Sequence, residues 1–367
     1  MKYLKIIMIV PLLLAIISCN ENPPSVQEGN AVLKIIALGD TSLTGTASAY
    51  VPLRNAKVIL SSEYGIMVKY TDDMGILTLT GIPSTTYSYS VRKAHPTIPN
   101  VLLVANVVNH VVSSGKTVVD TVKATQIANT GICINELYIG GPVNNVFFFY
   151  DLYFELYNYS DEVKYLDGMM FMRVSGNSIA SGHKGPGADE GDDGDIDGIN
   201  NAYKFPGNPG EKNYPFLPHT FKVLAGTAID HRKTVPSSID LSKSNWEFYN
   251  QYSTVDFDNP NVLNLINLRS DNRTEFLVGV TGDIVLLSSG IDVNWSDGID
   301  LSNVIDLVES HGSTTSTKTS DIRVEKGYAL APGKYGGKSI QRRELGVDTN
   351  NSSLDFEIRV SPSPGYQ

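Results

Sequence analysis

The chain has 367 residues and a formal net charge of −10, with 39 acidic against 29 basic residues. A surface of that sign repels phosphate backbones, and no Lys/Arg cluster offsets it, which argues against nucleic acid as a partner. The length exceeds what one hydrophobic core usually stabilises, so two domains are expected.

Residues 1–18 read as a lipoprotein signal peptide. Lys2 and Lys5 form a positive start, Ile6 to Ile17 an apolar stretch, and small Ser18 stands before Cys19. The apolar run is shorter than the roughly 20 residues a spanning helix needs and contains Pro11. The expectation is therefore a mature chain that begins at Cys19, lipidated there and held on a membrane by acyl chains contributing about 0.8 kcal/mol per buried methylene. Residues 19–29, polar and with two prolines, form the tether. The second of the two cysteines, Cys133, then has no disulfide partner, and in Ile132-Cys133-Ile134 it reads as a small buried hydrophobe.

From residue 30 onward Val, Ile, Thr and Tyr abound, Gly and Pro punctuate at short intervals, and helical periodicity is nearly absent. That pattern predicts an all-β fold of two immunoglobulin-like β-sandwich domains in tandem, 30–127 and 128–367. In the first, strands are expected at Ala31 to Leu38, Ala56 to Ser62, Ile66 to Thr71, Gly75 to Thr80, Tyr87 to Arg92, Val101 to Val112 and Thr117 to Ala124. Leu53-Arg54-Asn55-Ala56-Lys57-Val58-Ile59-Leu60, Thr71-Asp72-Asp73-Met74-Gly75 and Gly81-Ile82-Pro83 resemble the carboxypeptidase-regulatory, or transthyretin-like, sandwich. In that resemblance Asp72 bonds nearby amides of a tight turn and Gly75 takes a backbone shape other residues resist. Such modules serve as spacers or binding platforms and bring no catalytic residues.

The second unit opens at Gly131-Ile132-Cys133-Ile134 and continues through Tyr153-Phe154-Glu155-Leu156-Tyr157-Asn158. There Phe154 and Leu156 point to one face and Glu155 and Tyr157 to the other, with Asp167-Gly168 as a turn. Between them Val146 to Tyr150 is apolar on both faces, suiting either a strand between layers or an exposed aromatic platform. The opening of this unit is similar to a lamin-tail-like sandwich.

Asp193, Asp195 and Asp197 alternate in a glycine-turned loop, the geometry of the first half of an EF-hand. Calcium is the cofactor this implies, with the Ile199 carbonyl as a fourth ligand and Asn201 acting through water. Lys204 stands where the bidentate carboxylate belongs, so Glu211 or a distant residue must complete the shell. The alternative is a solvated acidic insertion.

Further on, Ala228-Ile229-Asp230-His231, Trp246-Glu247-Phe248 and Asp256-Phe257-Asp258-Asn259-Pro260 are found. With Gly337 to Arg342, Asn350 to Phe356 and Ser361-Pro362-Ser363-Pro364-Gly365, they resemble domain of unknown function 4876, a family of Bacteroidetes surface lipoproteins. The resemblance implies an outer-membrane lipoprotein exposed at the cell surface and establishes no activity. No Gly-x-Ser-x-Gly, His-Glu-x-x-His or phosphate-binding loop is present. The expected function is non-catalytic: a binding or accessory module for an outer-membrane β-barrel protein or an extracellular ligand. The alternatives are a structural or adhesive surface component and a hydrolase built on Asp230, His231, Asp256 and Asp258.

Overall fold

The computed structural model describes residues 29–43, 49–98, 101–128, 130–144 and 150–366. The signal segment, Cys19, the tether up to residue 28 and, of the stretch Val146 to Tyr150, all but Tyr150 lie outside the described residues. Within them the chain is all-β: the helical pieces are three short 3-10 turns and the single turn Ser352–Asp355. No described helix is long and apolar enough to cross a membrane.

The first half contains β1 (Ala31–Gly39), β2 (Val51–Pro52), β3 (Lys57–Ser62), β4 (Gly65–Tyr70), β5 (Ile76–Ile82), β6 (Thr85–Ala94), β7 (Val101–Val112) and β8 (Thr117–Ala128). Strict alternation in β1 buries Ala31, Leu33, Ile35 and Ala37 and leaves their neighbours half-buried, as period two requires. β1 pairs antiparallel with β2 and β5 and parallel with β8. β3 lies between β4 and β6, and β6 pairs with β7. The far ends of β7 and β8 pair over Val101–Val104, joining the two layers at one edge. Leu33, Ile35, Val58, Leu60, Leu77, Tyr89 and Leu103 fill the core between them. The turn before β5 forms as its residues require. Asp72 Oδ1 accepts from the Met74 and Ile76 amides at 2.9 and 2.8 Å, and Gly75 has φ +72°, where an added Cβ would lie 2.6 Å from the Ala37 carbonyl oxygen.

The second half has its own core between two sheets. One sheet runs Leu263–Asn264, Trp246–Glu247, Phe221–Ala225, β10 (Tyr153–Asn158), β9 (Ile132–Tyr138), Ser339–Arg342 and Phe356–Arg359. The other runs Ile266–Asn267, Ile199–Lys204, Met170–Val174, Ile284–Ser288, Val304–His311 and Ala329–Leu330. Phe154, Phe171, Phe248 and Phe276 pack between them with ring centroids 4.2 to 6.4 Å apart. Such aromatic pairs add about 0.5–1.5 kcal/mol each beyond the area they bury.

β10 presents Phe154 and Leu156 to this core, while Tyr153 belongs to a cluster on the opposite face. In β9 the register shifts so that Ile134 faces Leu156 and Glu136 faces Glu155, leaving Asn135 as a bulge. That outer face is covered by the chain's own C-terminal segment. The Ser363 amide donates to Glu136 at 3.2 Å and the Gly365 amide to Glu155 at 2.5 Å.

The halves meet through residues 343–355, which follow a buried cation. Arg342, 1 % exposed, donates to Asp306 at 2.7 Å, to Asp355 at 3.1 Å and to the carbonyls of Ile134 and Val347 at 2.8 and 2.9 Å. The loop it pins offers its backbone to the first sandwich. Asn106 Nδ2 donates to the Thr349 carbonyl at 2.7 Å, Arg92 donates to the Asp348 carbonyl, and Lys57 pairs with Glu344.

Candidate functional site

Docking of the 343–355 loop against the first sandwich leaves a cleft of about 510 Å³ between the two halves. Its wall on the first sandwich is made where β6 departs from regular pairing. The register between β6 and β7 shifts at Ser88, whose Oγ accepts from the Asn109 amide at 3.1 Å, and Asn109 has φ +56°. Asparagine is among the few non-glycine residues that take this conformation readily. Val108 beside it is half exposed and faces the opening.

The opposite wall carries Lys318, Lys326, Tyr328, Leu330, Arg343, Phe356 and Ile358. Glu309, fully buried behind it, accepts from His311 Nε2 at 2.7 Å, from the Thr319 and Ser320 amides at 2.9 and 3.0 Å and from Ser320 Oγ. Burial raises the Glu309 carboxyl, but these donors and the Lys318 ammonium 3.5 Å away outweigh it and leave the group below its ordinary range. Burial draws Lys318 down, partly opposed by Glu309. The His311 ring meets Tyr328 edge-on at 4.8 Å, which fixes the tyrosine at the cleft. Arg343 shares Glu357 at 3.4 Å. Burial lowers the pKa of Lys326 as it does that of Lys318, but unlike both cations its ammonium has no carboxylate partner among the described residues. In a chain of charge −10 the cleft is a locally cationic recess with an apolar floor.

The acidic loop is assembled differently from the EF-hand expectation. Oxygens of Asp189, Asp193 and Asp197 lie within 4.8 Å of one another. Asp195 is instead paired with Asp300 in a two-residue ladder, and its carboxyl is pushed up to about 6 by burial and by the hydrogen bond with Asp300. Asn201 is buried in the strand Ile199–Lys204, where its Oδ1 accepts from Asn272 Nδ2 at 3.3 Å. Of the expected set, Asp193 and Asp197 come together, joined by Asp189, whereas Asp195 turns to Asp300 and Asn201 lies in 199–204, which is extended and paired with Met170–Val174 where an EF-hand loop would curl. Asp189, absent from that set, accepts from the amides of Asp193 and Gly194 at 3.0 Å and from Arg323. The arginine hydrogen bond holds Asp189 below the usual carboxylate range.

The four residues of the hydrolase alternative are also divided. Asp230 caps a 3-10 turn and grips Arg232 at 2.7 and 3.1 Å, and Asp258 accepts from Asn264 at 2.9 Å. His231 and Asp256 do line one recess, about 270 Å³, together with Glu275 and Tyr150. His231 is buried with Nε2 2.9 Å from the Thr227 carbonyl, and Asp256 accepts from the amides of Asn250 and Phe257. Burial pushes Asp256 up to about 6 and lowers His231. Cys133 is buried, and burial carries its thiol far above the range where it ionises.

Sequence reasoning missed Arg342 as a core residue, and missed Lys326 and the bulge of Val108 and Asn109 opposite Ser88. The one local signal was the polar run Asn350 to Phe356 after two arginines, which marks a tightly bonded loop.

Residues 218–295 match the family model described as protein of unknown function DUF4876. No curated protein matches the chain. Among solved structures the chain is similar to a DUF4876 family protein from Bacteroides thetaiotaomicron VPI-5482, with 19 % identity, 89 % of this chain and 94 % of that chain covered, and a TM-score of 0.56. At that identity the likeness is one of fold, and it extends over both halves. The Bacillus anthracis TIE protein matches at 16 % identity over 54 % of this chain and 28 % of its own, with a TM-score of 0.21. A candidate carbohydrate binding protein from Bacteroides uniformis ATCC 8492 matches at 14 % identity over 41 % and 62 %, with a TM-score of 0.20. Scores this low carry no argument about this chain.

Proposed function

We propose that the chain is a non-catalytic binding module held at the bacterial envelope by lipid on Cys19, with the cleft between its two halves as the ligand site. The observation that carries the reading is that both halves contribute walls to one recess of about 510 Å³, within the range of small-molecule sites. Apolar Val108, Leu330, Phe356 and Ile358 supply the area, and a few polar groups supply orientation. The divided hydrolase residues support binding over turnover, since a general base must reach the proton it abstracts. Signal-like residues 1–18 and the polar tether support the anchored placement, and an outer-membrane barrel protein is the membrane partner that placement suggests.

Two measurements test this. Nile red, an uncharged dye, is expected to brighten on the native chain and to do so much less on Leu330→Glu and Ile358→Glu, both exposed lining positions. Equal brightening in all three would move the ligand site elsewhere. Fatty-acid labelling is expected in the parent and absent in Cys19→Ala; equal label in both removes the anchor.

A further inference from the structure

We infer that the cleft selects amphiphilic carboxylates: an apolar body against Phe356, Ile358, Leu330 and Val108, with the acid group on the Lys326 ammonium. This rests on the cleft being the ligand site and adds the chemistry of what it takes.

Three cations reach the cleft, and two of them are already committed. Lys318 donates to Ser320 Oγ at 2.8 Å and to the Ser320 carbonyl and faces Glu309, while Arg343 shares Glu357. Lys326 is half-buried on the same wall, and among the described residues it has neither an ion-pair partner nor a side-chain hydrogen bond. Its backbone is fixed on both sides: its own amide donates to the Asn350 carbonyl at 2.8 Å, and the Gly327 amide donates to buried Glu325 at 2.9 Å. An ammonium placed against apolar surface pays a desolvation cost that an anionic ligand relieves. The facing wall brings Ser88, Val108 and Asn109 to the cleft and so offers this cation no carboxylate. A sugar acid presents hydroxyls all round and needs many donors and acceptors; Ser88, Asn109, Thr314 and Ser353 offer some, but the hydrocarbon of Val108, Leu330, Phe356 and Ile358 set among them suits an apolar body better. An alkyl acid and an aromatic acid share the required chemistry.

The test uses the full chain bearing Cys19→Ala, so that no attached acyl chain competes, with four probes: dodecanoate, naphthalene-2-carboxylate, dodecyltrimethylammonium and Nile red. At least one carboxylate is expected to displace Nile red about tenfold more tightly than the cationic amphiphile, about 1.4 kcal/mol. Lys326→Met is expected to weaken that carboxylate by a similar factor while Nile red affinity and melting temperature hold, and Lys326→Glu to favour the ammonium probe. Dodecanoate ahead of naphthoate identifies an alkyl acid, and the reverse an aromatic one. Equal binding of cation and anion, or a Lys326→Met variant with unchanged carboxylate affinity, overturns the ligand class and leaves an apolar site standing. Failure of Nile red itself to bind removes the underlying site.

Discussion

Arg342 Nη2 lies 2.7 Å from Asp306 Oδ2, with the two side chains 1 % and 4 % exposed. A cation buried this deeply is tolerated only when every donor is used, and here the guanidinium also reaches Asp355, two carbonyls and the face of Phe356 at 4.8 Å. The pair ties the strand Val304–His311 to the strand that leads into the 343–355 loop, and that loop is what the first sandwich docks on. The cleft between the halves is therefore bounded by a loop that this buried ion pair pins.

Arg342→Met is expected to cost about 3–5 kcal/mol, because it leaves Asp306 and Asp355 buried without their cation. Arg342→Lys should recover little, since a point charge cannot replace the planar donor fork. Denaturant unfolding at neutral pH measures both. A loss under about 1 kcal/mol in Arg342→Met would show that the carboxyls were already neutral.

Stability is expected to fall as pH rises from about 4.5 to about 8. Burial pushes the Glu155 carboxyl up to about 8, with the Asn135 and Gly365 donors opposing it and Glu136 adding to it. The folded chain thus binds a proton that the unfolded chain has released, and the associated stability, present below about 4.5, is lost through that window, on the order of 5 kcal/mol. Burial displaces Glu247 to about 7 and Glu325 to about 8, in the same sense. Glu155→Gln should therefore reduce the slope of stability against pH without abolishing it. A variant with the parental slope contradicts the assignment.

The Cys133 thiol is expected to resist alkylation in the folded protein and to react once denaturant exposes it. It is fully buried, and burial raises its pKa further from the thiolate range. Iodoacetamide labelling followed by mass spectrometry reads this directly, and fast labelling of the native protein at neutral pH would place the residue outside the core.

Calcium and Arg323 should compete for the acidic loop, since both seek the Asp189 carboxylate beside Asp193 and Asp197. Millimolar calcium is expected to raise the melting temperature more in Arg323→Gln than in the parent, as binding to the native state stabilises by mass action. Asn201→Ala should leave either response unchanged. If the variant responds no more than the parent, the competition does not exist.

The seven strands expected in the first half all form, each within three residues of its predicted start and four of its predicted end, because alternation and turn residues are local signals. β2 was illegible: two residues long and lacking a period, it exists only because the Gly39 end of β1 lies alongside. In the second half the inward set of Phe154 and Leu156 was readable from period two, whereas the bulge at Asn135 was not, since nothing local marks which residue the partner strand will skip.

The candidate site was less legible still. Aspartates at 193, 195 and 197 look like one ligand set when the backbone between them is assumed to curl. Pairing of Asp195 and Ile196 with Asp300 and Ile299 instead sends Asp195 to a different neighbour, while Asp193 and Asp197 meet at Asp189. Alternation in hydrophobicity, a property of adjacent residues, determined on its own that this chain would be built from strands with their apolar faces inward. The partners of Arg342 and the isolation of Lys326 could be decided only by tertiary packing, because the free energy that holds a charge inside depends on groups brought to it from far along the chain.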